Sequence, residues 1–309
     1  MKFKKVLVVL GGTSGERDVS LETGKACAKA LRNLGYKVST FDPKKKLLNL
    51  IDKTKVDVIF NALHGRDGED GIAQSYFEYL RIPYTHSGVV SSYNAMNKLI
   101  SKQIFEEKKI RSPKYFYFIK KNFTNIKLKK TLKEKKIPFP IVIKPTNEGS
   151  SLGVNIVKNR KDLVRITNSL FKKYNELMFE QFIAGQEIQV AVLNNTPLGA
   201  IELKPKRKFY DYKAKYSKQA NTIHIMPALI NKRKYKQVLE IAKKAHKTLE
   251  CQGITRSDFK FYRDKFYLLE INTQPGMTSL SLVPEIAQYR GISFENLVEK
   301  ILLNASINK

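Results

Sequence analysis

The run Lys5-Val-Leu-Val-Val-Leu10 passes directly into Gly11-Gly-Thr-Ser-Gly15, and apolar residues then recur at Val19, Cys27, Ala30, Leu31 and Leu34 before Gly35. This is a strand, a glycine loop and a helix with a glycine at its end. A short apolar run without a polar face must be covered on both sides, so the opening implies a parallel sheet between helices. Apolar strands at 37–41 and 56–62 and helical patterns over 71–80 and 93–108 continue the arrangement to about residue 95. The first apolar run follows a basic start but is only five residues long and stops at a glycine pair, which suits a strand better than a signal peptide.

Beyond that point the pattern changes. Residues 114–158 read as strands separated by polar loops, with 138–144 and 153–157 forming a hairpin around a glycine-serine loop. Longer strands at 187–193 and 198–203, a polar aromatic loop at 204–221, a helix over 232–251, a strand pair within 254–272 and a helix over 294–303 complete the chain. The expected class is α/β joined to α+β in three units, 1–95, 96–183 and 184–309.

Composition narrows the function classes. With 309 residues, 42% hydrophobic, and only 16 glycines and 11 prolines, neither a disordered nor a fibrous chain fits. No segment approaches the roughly 18 uncharged apolar residues that span a bilayer. Cys27 and Cys251 supply no disulfide framework, so a reducing cytoplasm is expected. The net charge of +29 is the one extreme, and it raises the alternative of a basic nucleic-acid-binding protein. The lysines at 44–46, 127–136 and 172–173 have no zinc-finger, RNP or KH pattern beside them, and the preferred reading is a lysine-rich solvated surface.

The strongest chemistry lies in 254–262 and 265–272. On the first strand Arg256, Asp258 and Lys260 share a face opposite Phe259 and Phe261; on the second, Glu270 and Asn272 share a face opposite Leu269 and Ile271. If Tyr262 pairs with Phe266 across a three-residue turn, Asp258 lies opposite Glu270 and Arg256 opposite Asn272. Opposed carboxylates repel, which calls for a cation between them, and two acids with an amide oxygen suit Mg²⁺. A solvated face neutralised by Arg256 and Lys260 is the other reading.

Three further places can hold a ligand. The loop 146–153 between two strands can fold over a triphosphate beside Lys144, or be a plain turn. Glu16 follows the first glycine loop, where a carboxylate either binds an amine or stabilises the helix start. His64 follows an apolar strand, at a position typical of α/β ligand sites and equally of structural loop histidines.

Five ordered segments, 11–20, 63–71, 144–153, 209–216 and 269–278, together resemble the signature segments of the D-alanine–D-alanine ligases of the ATP-grasp superfamily, over essentially the whole chain. The resemblance implies an ATP-grasp fold, in which an N-terminal substrate domain precedes two α+β subdomains that sandwich ATP. It implies Lys98, Lys144 and Lys215 at the phosphates, Glu180, Gln181, Phe182 and Ile183 facing adenine, and Glu187 at the ribose. Asp258, Glu270 and Asn272 would hold two Mg²⁺ ions, with Mn²⁺ as a substitute.

By the same resemblance Glu16 binds the ammonium of the first D-alanine and links to Ser150 and Tyr216, and His64 lies near that substrate. Arg256 and the Gly276 N–H stabilise an oxyanion, and Ser281 with Leu282 receives the second D-alanine. The implied reaction joins two D-alanines through a D-alanyl phosphate, for peptidoglycan precursors, in a cytoplasmic homodimer without specific nucleic-acid or membrane partners. Another ATP-grasp carboxylate–amine ligase is the nearest alternative. Three positions depart from the family pattern: His86 where glycine is usual, Asn97 where aspartate is usual, and Lys213 in place of an acid.

Overall fold

The computed structural model describes residues 2–204 and 222–308. β1 (Lys5–Val9) is central in a three-stranded parallel sheet, between β2 (Lys37–Phe41) and β3 (Val58–Asn61). Strand alternation sorts its side chains. Val6, Val8, Val58 and Phe60 enter one core with α1 (Arg17–Asn33), while Leu7, Val9 and Ile59 enter another with Phe77 of α2 (Ile72–Leu80). Both faces are therefore dry, as the unbroken apolar run requires.

The helical pattern over 93–108 resolves into two helices, α3 (Val89–Met96) and α4 (Lys98–Glu107). Asn97 breaks them: its backbone is extended, and its side chain accepts from the N–H groups of Leu99 and Ile100 at 3.0 and 3.2 Å. A capping side chain competes with helix continuation and here starts a new helix.

The next sheet is antiparallel, in the order β4 (Tyr115–Ile119), β7 (Glu176–Gln181), β5 (Ile141–Pro145), β6 (Asn155–Val157). The expected hairpin is present, with Ile141 opposite Val157. This region also holds α5 (Asn125–Lys135) and α6 (Arg160–Leu170), which were not expected from the sequence. In α5 only Leu128 is fully buried and lysines occupy half of the other positions, so its apolar period is almost invisible.

The third sheet runs β10 (Ile223–Ile225), β9 (Thr196–Lys204), β8 (Gln186–Leu193), β11 (Ile254–Tyr262), β12 (Lys265–Asn272). One face carries Val190, Val192 and Ala200 against α7 (Lys232–Thr248). The other carries Ala191, Leu193 and Ile201 into the same core as α1, together with α8 (Leu282–Tyr289) and α9 (Phe294–Leu303). The end of the chain thus packs on its beginning. Among the described residues no helix is long and apolar enough to cross a membrane.

The hairpin differs instructively from expectation. Tyr262 pairs with Lys265, not Phe266, across a two-residue turn in which Arg263 and Asp264 have φ of 47° and 62°. Two left-handed residues match the strand twist. A bulge then intervenes: Phe259 faces Leu268 but Asp258 faces Glu270, leaving Leu269 without a ladder partner. The pairs Asp258–Glu270 and Arg256–Asn272 are those expected, reached by a different route. Leu269 turns to a cavity beside Glu270 instead of joining Ile271 in the core.

Candidate active site

Two neighbouring cavities are present, one between the second and third sheets and one where the 146–153 loop and the third sheet meet Glu16 and Glu69. The larger spans about 790 Å³, part of it open to solvent, and is lined by Lys98, Lys144, Glu180, Gln181, Phe182, Ile183, Glu187, Asp258, Leu269 and Glu270, among others. The second, about 510 Å³, is lined by Glu16, Glu69, Lys98, Gly149, Ser150, Arg256, Glu270 and Asn272 among its residues. Lys98 and Glu270 belong to both. Thirteen of the expected site residues thus line one or both cavities.

Lys98 opens α4, and its Nζ donates to the Glu148 carbonyl at 2.6 Å and lies 3.4 Å from Glu270 Oε2. Lys144, on β5, lies 2.7 Å from Glu180 Oε2, while buried Lys102 lies 2.5 Å from Oε1. Burial would raise the Glu180 pKa, but Lys102 and Lys144 overcome it and hold the carboxyl below its ordinary range. Glu180 thus lines the cavity with its carboxylate already engaged. Glu187 likewise pairs with Lys260 at 2.9 Å.

Arg256 holds Asp258 with two bonds, Nε to Oδ1 at 2.8 Å and Nη2 to Oδ2 at 3.0 Å. Asn272 Oδ1 accepts from the Gln274 N–H at 2.8 Å. The facing pair Asp258 and Glu270 is thus neutralised by Arg256 and Lys98, and the donor set of two carboxylates and an amide oxygen fits a hard divalent cation such as Mg²⁺.

The first glycine loop is built around Asp42. Its Oδ1 accepts from the Gly12 N–H at 3.1 Å, and Arg17 bridges Asp42 Oδ2 at 2.6 Å and the Gly12 carbonyl at 2.6 Å. Arg17 is the chief reason that the Asp42 carboxyl is pulled down to about 2. At Gly11, φ is +86° and an added Cβ would stand 2.7 Å from Asp42 Oδ1, so only glycine fits. This loop delivers the buried Glu16 to the second cavity beside Gly149. Ser150 and Ser151 both have left-handed backbone, φ 47° and 61°.

His64 stands one shell back. Its Nε2 is 3.1 Å from Thr23 Oγ1, and its Nδ1 lies 3.9 Å from Glu69 Oε2; Glu69, not His64, lines the second cavity. Glu69 was missed in the sequence although it lies inside the 63–71 segment. Lys102 was missed as well, and its signal is the helical spacing from Lys98. Ser281 Oγ is 2.9 Å from both the Thr278 N–H and Thr278 Oγ1, and a Cβ on Gly276 would come within 2.9 Å of it. The Leu282 side chain is in the core, so what it can offer a ligand is its N–H at the first turn of α8. Lys213, Lys215 and Tyr216 lie outside the described residues.

Family models confirm the resemblance. That for the D-ala D-ala ligase C-terminus matches residues 104–303, and that for the N-terminus matches 41–87. The D-alanine–D-alanine ligase of Pelagibacter ubique (strain HTCC1062) is 55% identical over 313 residues, covering 99% of each chain. The chain belongs to the D-alanine–D-alanine ligase family.

A second ligase of the family, from Geotalea uraniireducens (strain Rf4), is 43% identical, covering 99% of this chain and 97% of its own. The crystal structure of the Bacillus anthracis D-alanine–D-alanine ligase complexed with ATP matches with a TM-score of 0.84 at 31% identity, over 98% of this chain and 97% of that one. The fold is accordingly ATP-grasp. Two departures from the family pattern are explained locally. His86 has φ of +70°, which accounts for the usual glycine; its ring packs edge-on to Phe60, with Nδ1 2.9 Å from Thr85 Oγ1. Asn97 caps α4 as an aspartate does.

Proposed function

We infer that the chain joins two molecules of D-alanine, with ATP converted to ADP and phosphate, to give D-alanyl-D-alanine for peptidoglycan precursors. Membership in the family makes it an ATP-dependent ligase. The observation that carries the reading is the sharing of Lys98 and Glu270 by the two cavities: a carboxylate bound in one meets the terminal phosphate of a nucleotide bound in the other.

In this reading Lys98 and Lys144 bind the phosphates, with Lys215 closing over them. Gln181, Phe182, Ile183 and the Glu180 backbone face adenine, and Glu187 takes the ribose. Glu16 binds the ammonium of the first D-alanine and, with Ser150 and Tyr216, ties the glycine-serine loop to the polar loop; His64 acts on that end of the site through Glu69. The carboxylate of the first D-alanine attacks the γ-phosphate, forming an acyl phosphate and ADP. The amine of the second D-alanine, whose carboxylate lies at Ser281 and the Leu282 N–H, then displaces phosphate. Arg256 and the Gly276 N–H stabilise the oxyanion of that step.

Asp258, Glu270 and Asn272 would hold two Mg²⁺ ions, or Mn²⁺ in their place, which supply charge neutralisation to the phosphates. The rest of the task is positioning, and no residue needs to act as a covalent nucleophile. Water must be kept from the acyl phosphate, a role suited to the loop carrying Ser150.

The chain is read as three parts, 1–95, 96–183 and 184–309, each holding one of the three sheets. A cytoplasmic homodimer is proposed, supported by exposed apolar side chains clustered on α2 and α3, namely Ile72, Tyr79, Val90 and Tyr93, and by two buried free cysteines. ADP release with D-alanine as sole amino acid tests the function. Release and dipeptide formation are expected; release that required another amine, with none from D-alanine, would retain the ligase class and reject the substrate.

A further inference from the structure

Lys102 lies one helical turn beyond Lys98 on α4 and is fully buried. Its Nζ is 2.5 Å from Glu180 Oε1, and Lys144 Nζ is 2.7 Å from Oε2 of the same carboxylate. Lys144 and Glu180 line the nucleotide cavity, whereas Lys102 sits behind its wall, with Nζ 5.5 Å from the centre of the Tyr115 ring. Two ammonium groups thus share one carboxylate.

We propose that Lys102 is a positioning residue for Lys144: it neutralises Glu180 from behind, so that Lys144 can leave that carboxylate for an incoming polyphosphate. The proposal rests on the reading of Lys144 as a phosphate ligand. With Lys102 absent, Lys144 would be the only counter-ion of this buried carboxylate among the described residues, and moving it to a phosphate would strand that charge beside a polyanion. With Lys102 present, the move leaves a neutral buried pair. Burial draws the Lys102 pKa below the ordinary lysine value while Glu180 opposes the shift, and Glu180 is held below the ordinary carboxylate range despite its burial. The Glu180 shift agrees with a carboxylate ionised beside two ammonium groups, whereas the fall at Lys102 reflects the cost of burying its charge next to Lys144. The spacing of Lys98 and Lys102 places both on one face of α4, so a single helix serves the phosphates directly through one lysine and indirectly through the other.

The test is calorimetric binding of ADP and of adenosine, both with Mg²⁺, to Lys102→Met, Lys102→Arg, Lys144→Met and the double variant Lys102→Met/Glu180→Gln. Lys102→Met is expected to weaken ADP at least about tenfold, about 1.4 kcal/mol, and adenosine by less than about threefold. KM for ATP should rise with KM for D-alanine nearly unchanged, and Lys102→Arg should stay close to the parent. Adding Glu180→Gln frees Lys144 and should restore ADP affinity to within about threefold of the parent. Parent-like ADP binding by Lys102→Met, equal losses of ADP and adenosine, or no recovery in the double variant would overturn the proposal. If Lys102→Met does not fold, the double variant decides: retained ADP affinity supports the proposal, and a loss matching that of Lys144→Met overturns it. Parent-like ADP binding by Lys144→Met itself would instead reject the phosphate role on which the proposal stands.

Discussion

Asp258 and Glu270 face each other across the β11–β12 ladder because the bulge at Leu269 corrects the register set by a two-residue turn. Their pairing places two acids in the lining of the larger cavity, where the proposed function puts the metal ions. Glu270→Gln should therefore raise the Mg²⁺ concentration for half-maximal activity by at least about tenfold, given what ligand-sphere changes cost elsewhere. A Mg²⁺ titration of ADP release checks it, and an unmoved midpoint would remove Glu270 from the metal site.

Arg256 is bidentate to Asp258 and lines the second cavity, and its proposed role is to stabilise the oxyanion of amide formation there. Arg256→Ala is expected to slow turnover by about 10²- to 10³-fold, the range for loss of an oxyanion donor. Steady-state kcat at saturating ATP and D-alanine is the measurement, and an unchanged rate rules the role out.

Gly149 lines the same cavity as Glu16, the carboxylate proposed to bind the substrate amine. A Cβ there would lie 2.9 Å from Glu16 Oε1 and 3.5 Å from Glu69 Oε1. The obstacle is the end of a side chain, so Gly149→Ala should fold, with Tm within about 3 °C of the parent. Glu16 must move, and KM for D-alanine should rise while KM for ATP holds. Equal kinetics would show that the Glu16 carboxylate has room to spare.

His246 supplies a pH test of stability. Buried on α7 with Nδ1 2.8 Å from Thr255 Oγ1, its pKa is lowered from 6.5 to about 4, chiefly by burial, with Lys247 adding and a backbone hydrogen bond with Cys251 opposing. The folded ring binds a proton less readily than the unfolded one. The stability it contributes is thus intact above pH 6.5 and declines towards pH 4, by about 2 kcal/mol between pH 7 and 5. His246→Asn should flatten the fall of Tm over that interval, and a slope equal to the parent's would place the acid sensitivity elsewhere.

Much of the site was legible because its residues sit in short contiguous segments whose local chemistry is distinctive. The face of Asp258 and Glu270, the glycine loops and Lys144 at the end of its strand are readable from alternation and spacing, whereas Lys98 came only with the family resemblance. Lys102 and Glu69 were not, since a lysine in a helix and an acid in a loop look solvated until packing buries them. The split between α3 and α4 was hidden for a related reason: Asn97 is an ordinary helix residue unless its side chain turns back to cap.

By itself, then, the chain's order of residues determined the parallel opening sheet, the amphipathic hairpin and the family, because strand period and signature segments are local properties. Tertiary structure alone decided that Leu269 bulges out to line the larger cavity, that α9 returns to pack on α1, and that Lys102 and Lys144 share Glu180. Each of these depends on residues far apart in sequence competing for one buried space, and burial is what turns an exposed-looking charge into a partner.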